Sequence, residues 1–127
     1  MKHNICVWID HREARIFGIT SSDVDRSLIE DERPKHHIHR KADHIGLGSE
    51  TMSPQFLGEV AQALQPAKAI LIGGPGRART ELAGYLNDKY PALAKRIWAI
   101  EPMDHPTDAE LVATARKYFQ AATRMHQ

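Results

Sequence analysis

The stretch Ala67-Lys68-Ala69-Ile70-Leu71-Ile72-Gly73-Gly74-Pro75-Gly76 decides the fold class of this 127-residue chain. Its apolar run over residues 67–73 predicts a buried strand, and the Gly-Pro-Gly turn at 74–76 ends that strand. Apolar residues then recur at helical spacing and predict a helix that ends near Pro91: Leu82, Tyr85 and Leu86. A buried strand that runs directly into a helix is the unit of parallel α/β sheets.

The residues around this unit repeat the alternation. Ser53-Pro54 predicts the start of a helix that Pro66 ends, because serine caps helices and proline suits their first turn. Residues 95–101 (KRIWAIE) predict another strand, and a Thr-x-x-Glu capping box at 107–110 predicts the start of a last helix. Strand–helix–strand order predicts parallel neighbours with right-handed crossovers.

The first thirty residues predict antiparallel strands instead. Residues 5–9 (ICVWI) and 14–19 (ARIFGI) are apolar runs, and the polar residues between them form a loop of hairpin length. Residues 24–30 predict a third strand, at an edge of the sheet. We therefore expect residues 1–127 to form a single three-layer α/β domain, with a mixed sheet between helices.

The composition is that of an ordinary globular protein, with 42% hydrophobic and 26% charged residues. No apolar run approaches the ~20 residues of a membrane helix, and the N-terminal apolar run is too short for a signal peptide. Cys6, the single cysteine, excludes an intramolecular disulfide, and we expect it to be a buried core thiol. The expected location is the cytoplasm, and the sequence indicates neither a cofactor nor a bound metal.

Residues 31–51 lose all periodicity and predict a long, basic, histidine-rich loop. Within it, residues 33–44 read RPKHHIHRKADH, although the whole chain has a net charge of only +1. Such a loop favours RNA, since lysine and arginine contact phosphates and histidine stacks on bases. The predicted RNA-binding residues are Lys35, His36, His37, His39, Arg40 and Lys41. A solvated loop is one alternative, and a histidine metal site is another, although the neighbouring cations would repel a metal.

The turn after the central strand is a second candidate site, because free N–H groups at a helix start attract anions. Gly74 and Gly76 would form a phosphate-binding turn, and Arg77 and Arg79 would add RNA contacts. The pattern matches neither a P-loop nor a dinucleotide fingerprint, in which a glycine would stand where this chain has Arg79. A tight strand-to-helix turn without a ligand is the alternative.

Two other function classes remain open at this point. A metal-dependent phosphoester hydrolase would need acidic residues to converge near the strand ends, or the histidines to hold a metal. The acidic candidates are Asp10, Glu101, Asp104 and Asp108. A protein-interaction module would use the edge strand at 24–30, for instance to form a homodimer. No residue is assigned a catalytic role.

Two stretches resemble the middle domain of the archaeal–eukaryotic peptide-chain release factor and Pelota family. Val7-Trp8-Ile9-Asp10-His11-Arg12-Glu13-Ala14 resembles the opening hairpin of that domain. Ala69-Ile70-Leu71-Ile72-Gly73-Gly74-Pro75-Gly76, followed by Glu81 and Leu82, resembles its strand–turn–helix segment. The order of elements agrees over residues 5–119, and the chain looks most like the small bacterial translational machinery proteins.

The resemblance implies a ribonuclease-H-like fold and an association with the ribosome. In release factors the long loop after the early strands carries Gly-Gly-Gln, which enters the peptidyl-transferase centre. Residues 34–51 correspond to that loop and lack the tripeptide, and Gly73-Gly74 is followed by proline. The resemblance therefore implies a translation-associated domain that binds ribosomal RNA, transfer RNA or the ribosome without catalysing peptide release.

Overall fold

The computed structural model describes residues 3–31 and 52–125, and one five-stranded sheet lies at the centre of this part of the chain. The strands are β1 His3–Ile9, β2 Glu13–Ile19, β3 Val24–Glu30, β4 Ala67–Gly74 and β5 Ile97–Pro102. Across the sheet their order is β3-β2-β1-β4-β5. The pairs β1–β2 and β2–β3 are antiparallel, whereas β1–β4 and β4–β5 are parallel. The mixed sheet with β3 at an edge is confirmed.

The described ranges contain the helices α1 Pro54–Leu64, α2 Ala78–Lys89, α3 Pro91–Ala94 and α4 Asp108–Met125. Helix α1 begins as predicted, because the Ser53 hydroxyl accepts the N–H of Phe56 and Pro54 lies in the first turn. The capping box before α4 is also present, since Thr107 and Glu110 exchange hydrogen bonds between side chain and backbone. None of these helices combines the length and the apolar character that crossing a bilayer requires.

Helices cover both faces of the sheet and produce the expected three layers. Side chains alternate between the two faces of a strand, so neighbouring residues of β1 enter different cores. Val7 packs with α1 and α2 in one core, and Trp8 packs with α4 in the other. Strand β1 is buried on both faces from Ile5 to Ile9, as its central place in the sheet requires.

Cys6 lies in the core beneath α4 and is fully buried. Burial raises the pKa of its thiol to about 12, against the opposing effect of the nearby Arg15 charge. A thiol held in its protonated form is a poor nucleophile and a poor metal ligand. The expectation of a buried core thiol is confirmed.

The start of the last strand differs from the sequence-based expectation. Strand β5 begins at Ile97 rather than Lys95, because the short helix α3 occupies the residues after Pro91. Lys95 and Arg96 close that helix by donating backbone hydrogen bonds to its carbonyls. β5 is an edge strand, and its Trp98 is half-buried.

Candidate nucleic-acid interface

The carboxyl ends of the parallel strands meet at one edge of the sheet, which we call the carboxyl edge. It carries the ends of β1, β4 and β5, and the antiparallel neighbours place the start of β2 and the end of β3 there as well. Helices α1, α2 and α4 all begin at this edge. Ligands of α/β sheets usually bind at such an edge, and helix starts present free N–H groups and a partial positive charge there.

Both ends of the predicted basic loop are attached to the carboxyl edge. Asp31 donates its N–H to the carbonyl of Arg12, at 2.8 Å, in continuation of the β2–β3 pairing. The carboxylate of Asp31 accepts hydrogen bonds from the N–H and the hydroxyl of Ser53, both at 3.2 Å. The chain therefore leaves this edge after Asp31 and returns to it before Ser53. Lys35, His36, His37, His39, Arg40 and Lys41 lie between these points, outside the described residues.

The β1–β2 hairpin tip has a well-defined backbone. One carboxylate oxygen of Asp10 accepts the N–H groups of Arg12 and Glu13 at 2.8 and 2.9 Å. The ring of His11 lies 3.3 Å from the carboxylate of Glu81 in α2 and connects the tip to that helix. Arg12 itself is exposed. The tip is thus fixed between Asp31 and the first turns of α2.

The turn between β4 and α2 is built from glycine backbone. Gly74 has φ 148° and Gly76 has φ 60°, two backbone conformations that residues other than glycine rarely adopt. Arg79 donates through one guanidinium nitrogen to the carbonyls of both glycines, at 3.0 and 2.6 Å. Arg77 is exposed at the start of α2, without a side-chain capping bond. Arg77 and Arg79, both predicted as RNA contacts, therefore differ in their surroundings. The Arg79 guanidinium already binds carbonyls of the turn, whereas the Arg77 side chain is exposed.

The acidic residues proposed for metal-dependent hydrolysis are not assembled into a site. The carboxylate of Asp108 binds Arg15 at 2.7 Å and Arg26 at 3.1 Å. That of Asp10 binds the hairpin backbone, and that of Asp104 is almost fully exposed. Within residues 3–31 and 52–125, no group of three or more His, Cys, Asp or Glu side chains is placed to hold a metal. Asp10 and Asp108 thus have separate structural partners, and the described residues give the acidic form of the hydrolase hypothesis no support.

Trp8 and Arg15 attach the β5–α4 connection to the sheet. The guanidinium of Arg15 lies 4.5 Å from the centre of the Trp8 ring and donates to the carbonyl of Pro106 at 3.0 Å. The Trp8 indole donates to the carbonyl of Asp104 at 2.9 Å. Trp8 is 1% exposed and is unavailable for stacking on a base. Trp8 therefore has a packing role.

Sequence reasoning did not select Arg12 as a site residue, although the structure places it at the carboxyl edge. A lone arginine in a polar hairpin loop is common, and periodicity carries no information about it. The available signal was its position two residues after Asp10, which accepts backbone N–H groups in such tips. Only the pairing of β2 with β3 brings Arg12 beside Asp31.

These features define a class of domain: a three-layer mixed α/β sheet whose carboxyl edge holds the hairpin tip, the glycine turn and both ends of the basic loop. The fold is that of a Pelota-like or release-factor-like domain, which confirms the resemblance at the level of fold. Three solved structures illustrate the likeness. At identities below 20% the likeness shows the fold, and this chain spans between 28% and 39% of the length of those chains.

Pelota from Archaeoglobus fulgidus matches with a TM-score of 0.63 and 17% identity, over 91% of this chain and 31% of that one. An archaeal translation termination factor matches with a TM-score of 0.56 and 18% identity, over 97% and 39% of the two chains. Archaeal Pelota in a ribosome-bound model with ABCE1 matches with a TM-score of 0.50 and 18% identity, over 82% and 28%. No protein-family model matches this sequence, and no curated protein does. The comparisons give no support to a homodimer.

Proposed function

We propose that this chain is a non-catalytic, translation-associated domain that binds the ribosome through ribosomal RNA or transfer RNA. The observation that carries the proposal is its fold likeness to Pelota and to a translation termination factor over at least 91% of the chain. One of the similar structures is of a Pelota bound to the ribosome. The proposed location is accordingly the cytoplasm.

The carboxyl edge is the proposed RNA-binding surface. Both ends of the basic loop are attached there, beside the hairpin tip and the glycine turn. Lysine and arginine of the loop would contact phosphates, and its histidines would contact bases: Lys35, His36, His37, His39, Arg40 and Lys41. Arg77 would provide a further phosphate contact, while Arg79 would support the Gly74–Gly76 turn through its carbonyl bonds.

The proposed function excludes peptide release by the release-factor mechanism. The sequence contains no Gly-Gly-Gln between residues 34 and 51, and its single Gly-Gly pair belongs to the turn after β4. That pair is held by backbone packing, because a Cβ at Gly74 would collide with the carbonyl of Ile9. Gly74 thus has a structural role at the carboxyl edge.

The test is co-sedimentation of the purified chain with purified bacterial ribosomes over a salt series. The variant Lys35→Ala/Arg40→Ala/Lys41→Ala should bind more weakly and with a shallower salt dependence, since each phosphate contact adds to counterion release. The matched control removes three exposed cations elsewhere: Lys68→Ala/Lys95→Ala/Lys117→Ala. If the wild-type chain fails to associate even at low salt, the proposed function is wrong. Equal losses in both triple variants would place the contact outside the basic loop.

A further inference from the structure

The arginine side chains of the described residues fall into two groups. Five bind protein acceptors: Arg15, Arg26, Arg79, Arg96 and Arg116. The other three within residues 3–31 and 52–125 are exposed and donate no side-chain hydrogen bond there: Arg12, Arg77 and Arg124. Arg12 and Arg77 both lie at the carboxyl edge, whereas Arg124 lies in the last turn of α4, at the opposite edge. Two of the three unpaired arginines in this part of the chain therefore lie at the carboxyl edge.

Arg12 is held in place by its backbone alone. Its N–H binds the Asp10 carboxylate, and its carbonyl accepts the N–H of Asp31. The next side chain toward the N-terminus, His11, contacts Glu81 of α2. A fixed backbone with a free guanidinium reduces the conformational entropy that the tip would lose on binding. Within the described residues the Arg12 guanidinium forms no ion pair, although Glu13 and Glu30 lie nearby at the facing ends of β2 and β3.

We infer that the side chain of Arg12 contacts an RNA phosphate at the hairpin tip. This contact extends the proposed binding surface along the carboxyl edge, from Arg77 to Asp31. This inference rests on the proposed function and names a residue that the basic loop and the glycine turn do not include. Guanidinium binds phosphate oxygens in a bidentate manner and remains charged at every physiological pH. The occupant is the phosphodiester backbone, because the exposed guanidinium of Arg12 offers the charge and the hydrogen-bond donors that phosphate oxygens accept.

The experiment measures ribosome co-sedimentation for the full chain and for Arg12→Ala, Arg12→Lys and Arg124→Ala. Removing one phosphate contact should reduce the slope of log affinity against log salt by about 1 and weaken binding roughly five- to tenfold near 0.1 M salt. Arg12→Lys should keep most of the slope, because the charge remains. Arg124→Ala should match the wild type. Circular dichroism should show all variants folded, since the tip bonds use the backbone of residue 12 and not its side chain.

The possible outcomes separate this inference from the proposed function. If the wild type binds and Arg12→Ala has the same slope as Arg124→Ala, Arg12 is not a phosphate contact, and the proposed function stands. If the wild type does not bind ribosomes at low salt, both are wrong. If poly-L-glutamate competes as well as ribosomal RNA at equal charge, the surface binds acidic polymers in general and the assignment to RNA is overturned.

Discussion

Gly74 is the residue on which the close packing of β4 against β1 depends. Its φ of 148° lies outside the range that L side chains favour, and a Cβ built there would overlap the carbonyl of Ile9. The obstacle is backbone, which cannot rotate away as a side chain can. Gly73 differs in this respect, because a Cβ there would meet only the flexible side chain of Met103. The glycine pair therefore contains one position that only glycine can occupy.

At this scale we predict that Gly74→Ala lowers the free energy of unfolding by more than about 2 kcal/mol, from the combined overlap and backbone strain. Gly84→Ala is the matched control, because Gly84 lies within α2 and a Cβ there meets no atom within 4 Å. That substitution should stabilise the protein by roughly 0.5–1 kcal/mol, the gain expected from replacing glycine in a helix. Urea denaturation measures both, and equal stabilities would contradict the packing argument.

Among the elements, α1 shows how one residue connects a strand to a helix. Ser53 caps α1 by accepting the N–H of Phe56 and also binds the carboxylate of Asp31 at the end of β3. The first turn of α1 contains no acidic residue, so the cap and this carboxylate supply the negative charge near the helix start. The same contacts bring the two ends of the basic loop together.

We predict that Ser53→Ala costs about 1–2 kcal/mol of stability, since it removes the cap and one hydrogen bond to Asp31. Ser22→Ala is a suitable control, because Ser22 is exposed in the turn before β3. It should change the free energy of unfolding by less than about 0.5 kcal/mol. Thermal unfolding followed by circular dichroism distinguishes the two variants, and a loss at Ser53 no larger than at Ser22 would show that the cap is unimportant.

In the molecule as a whole, stability and the proposed binding function reside in different parts of the chain. The two cores use the strands β1, β2 and β4 together with helices α1, α2 and α4. The proposed binding residues lie at the carboxyl edge and in the basic loop attached to it. Because Asp31 and Ser53 are directly hydrogen-bonded, we expect that residues 32–51 can be exchanged without moving the cores of the described residues.

The corresponding prediction is that a six-residue Gly/Ser linker in place of residues 32–51 leaves a folded protein that no longer co-sediments with ribosomes. Closing a shorter loop costs less entropy. The free energy of unfolding should therefore stay the same or rise by up to roughly 1 kcal/mol. Circular dichroism and urea denaturation report the fold, and co-sedimentation reports binding. Retained binding would indicate that the RNA contacts the described surface around Arg12 and Arg77 rather than the loop. An unfolded variant would contradict the separation of stability from binding.

Apart from the short helix α3, the order and type of the described elements could be predicted from the sequence. Alternation, helical spacing, the Ser53 cap, the capping box at 107–110 and the glycine turn are local signals, because each depends on residues within a few positions of one another. The mixed sheet followed from the order of these elements. Short connections make antiparallel pairs, whereas a strand that follows a crossover helix pairs in parallel. The likeness to the Pelota fold could be predicted from the sequence because it rests on the same order of elements.

Which charged side chains have protein partners depends on contacts between residues far apart in the sequence. Asp108 binds Arg15 and Arg26, residues 93 and 82 positions earlier in the chain, and is thereby unavailable to a metal. Arg79 donates to backbone carbonyls, whereas Arg12, beside Asp31, has no side-chain partner among residues 3–31 and 52–125. Such partners are chosen by strand order and crossovers, which bring distant residues together. Local sequence can indicate that a residue is basic, but the fold determines whether its charge is neutralised by the protein or left for a ligand.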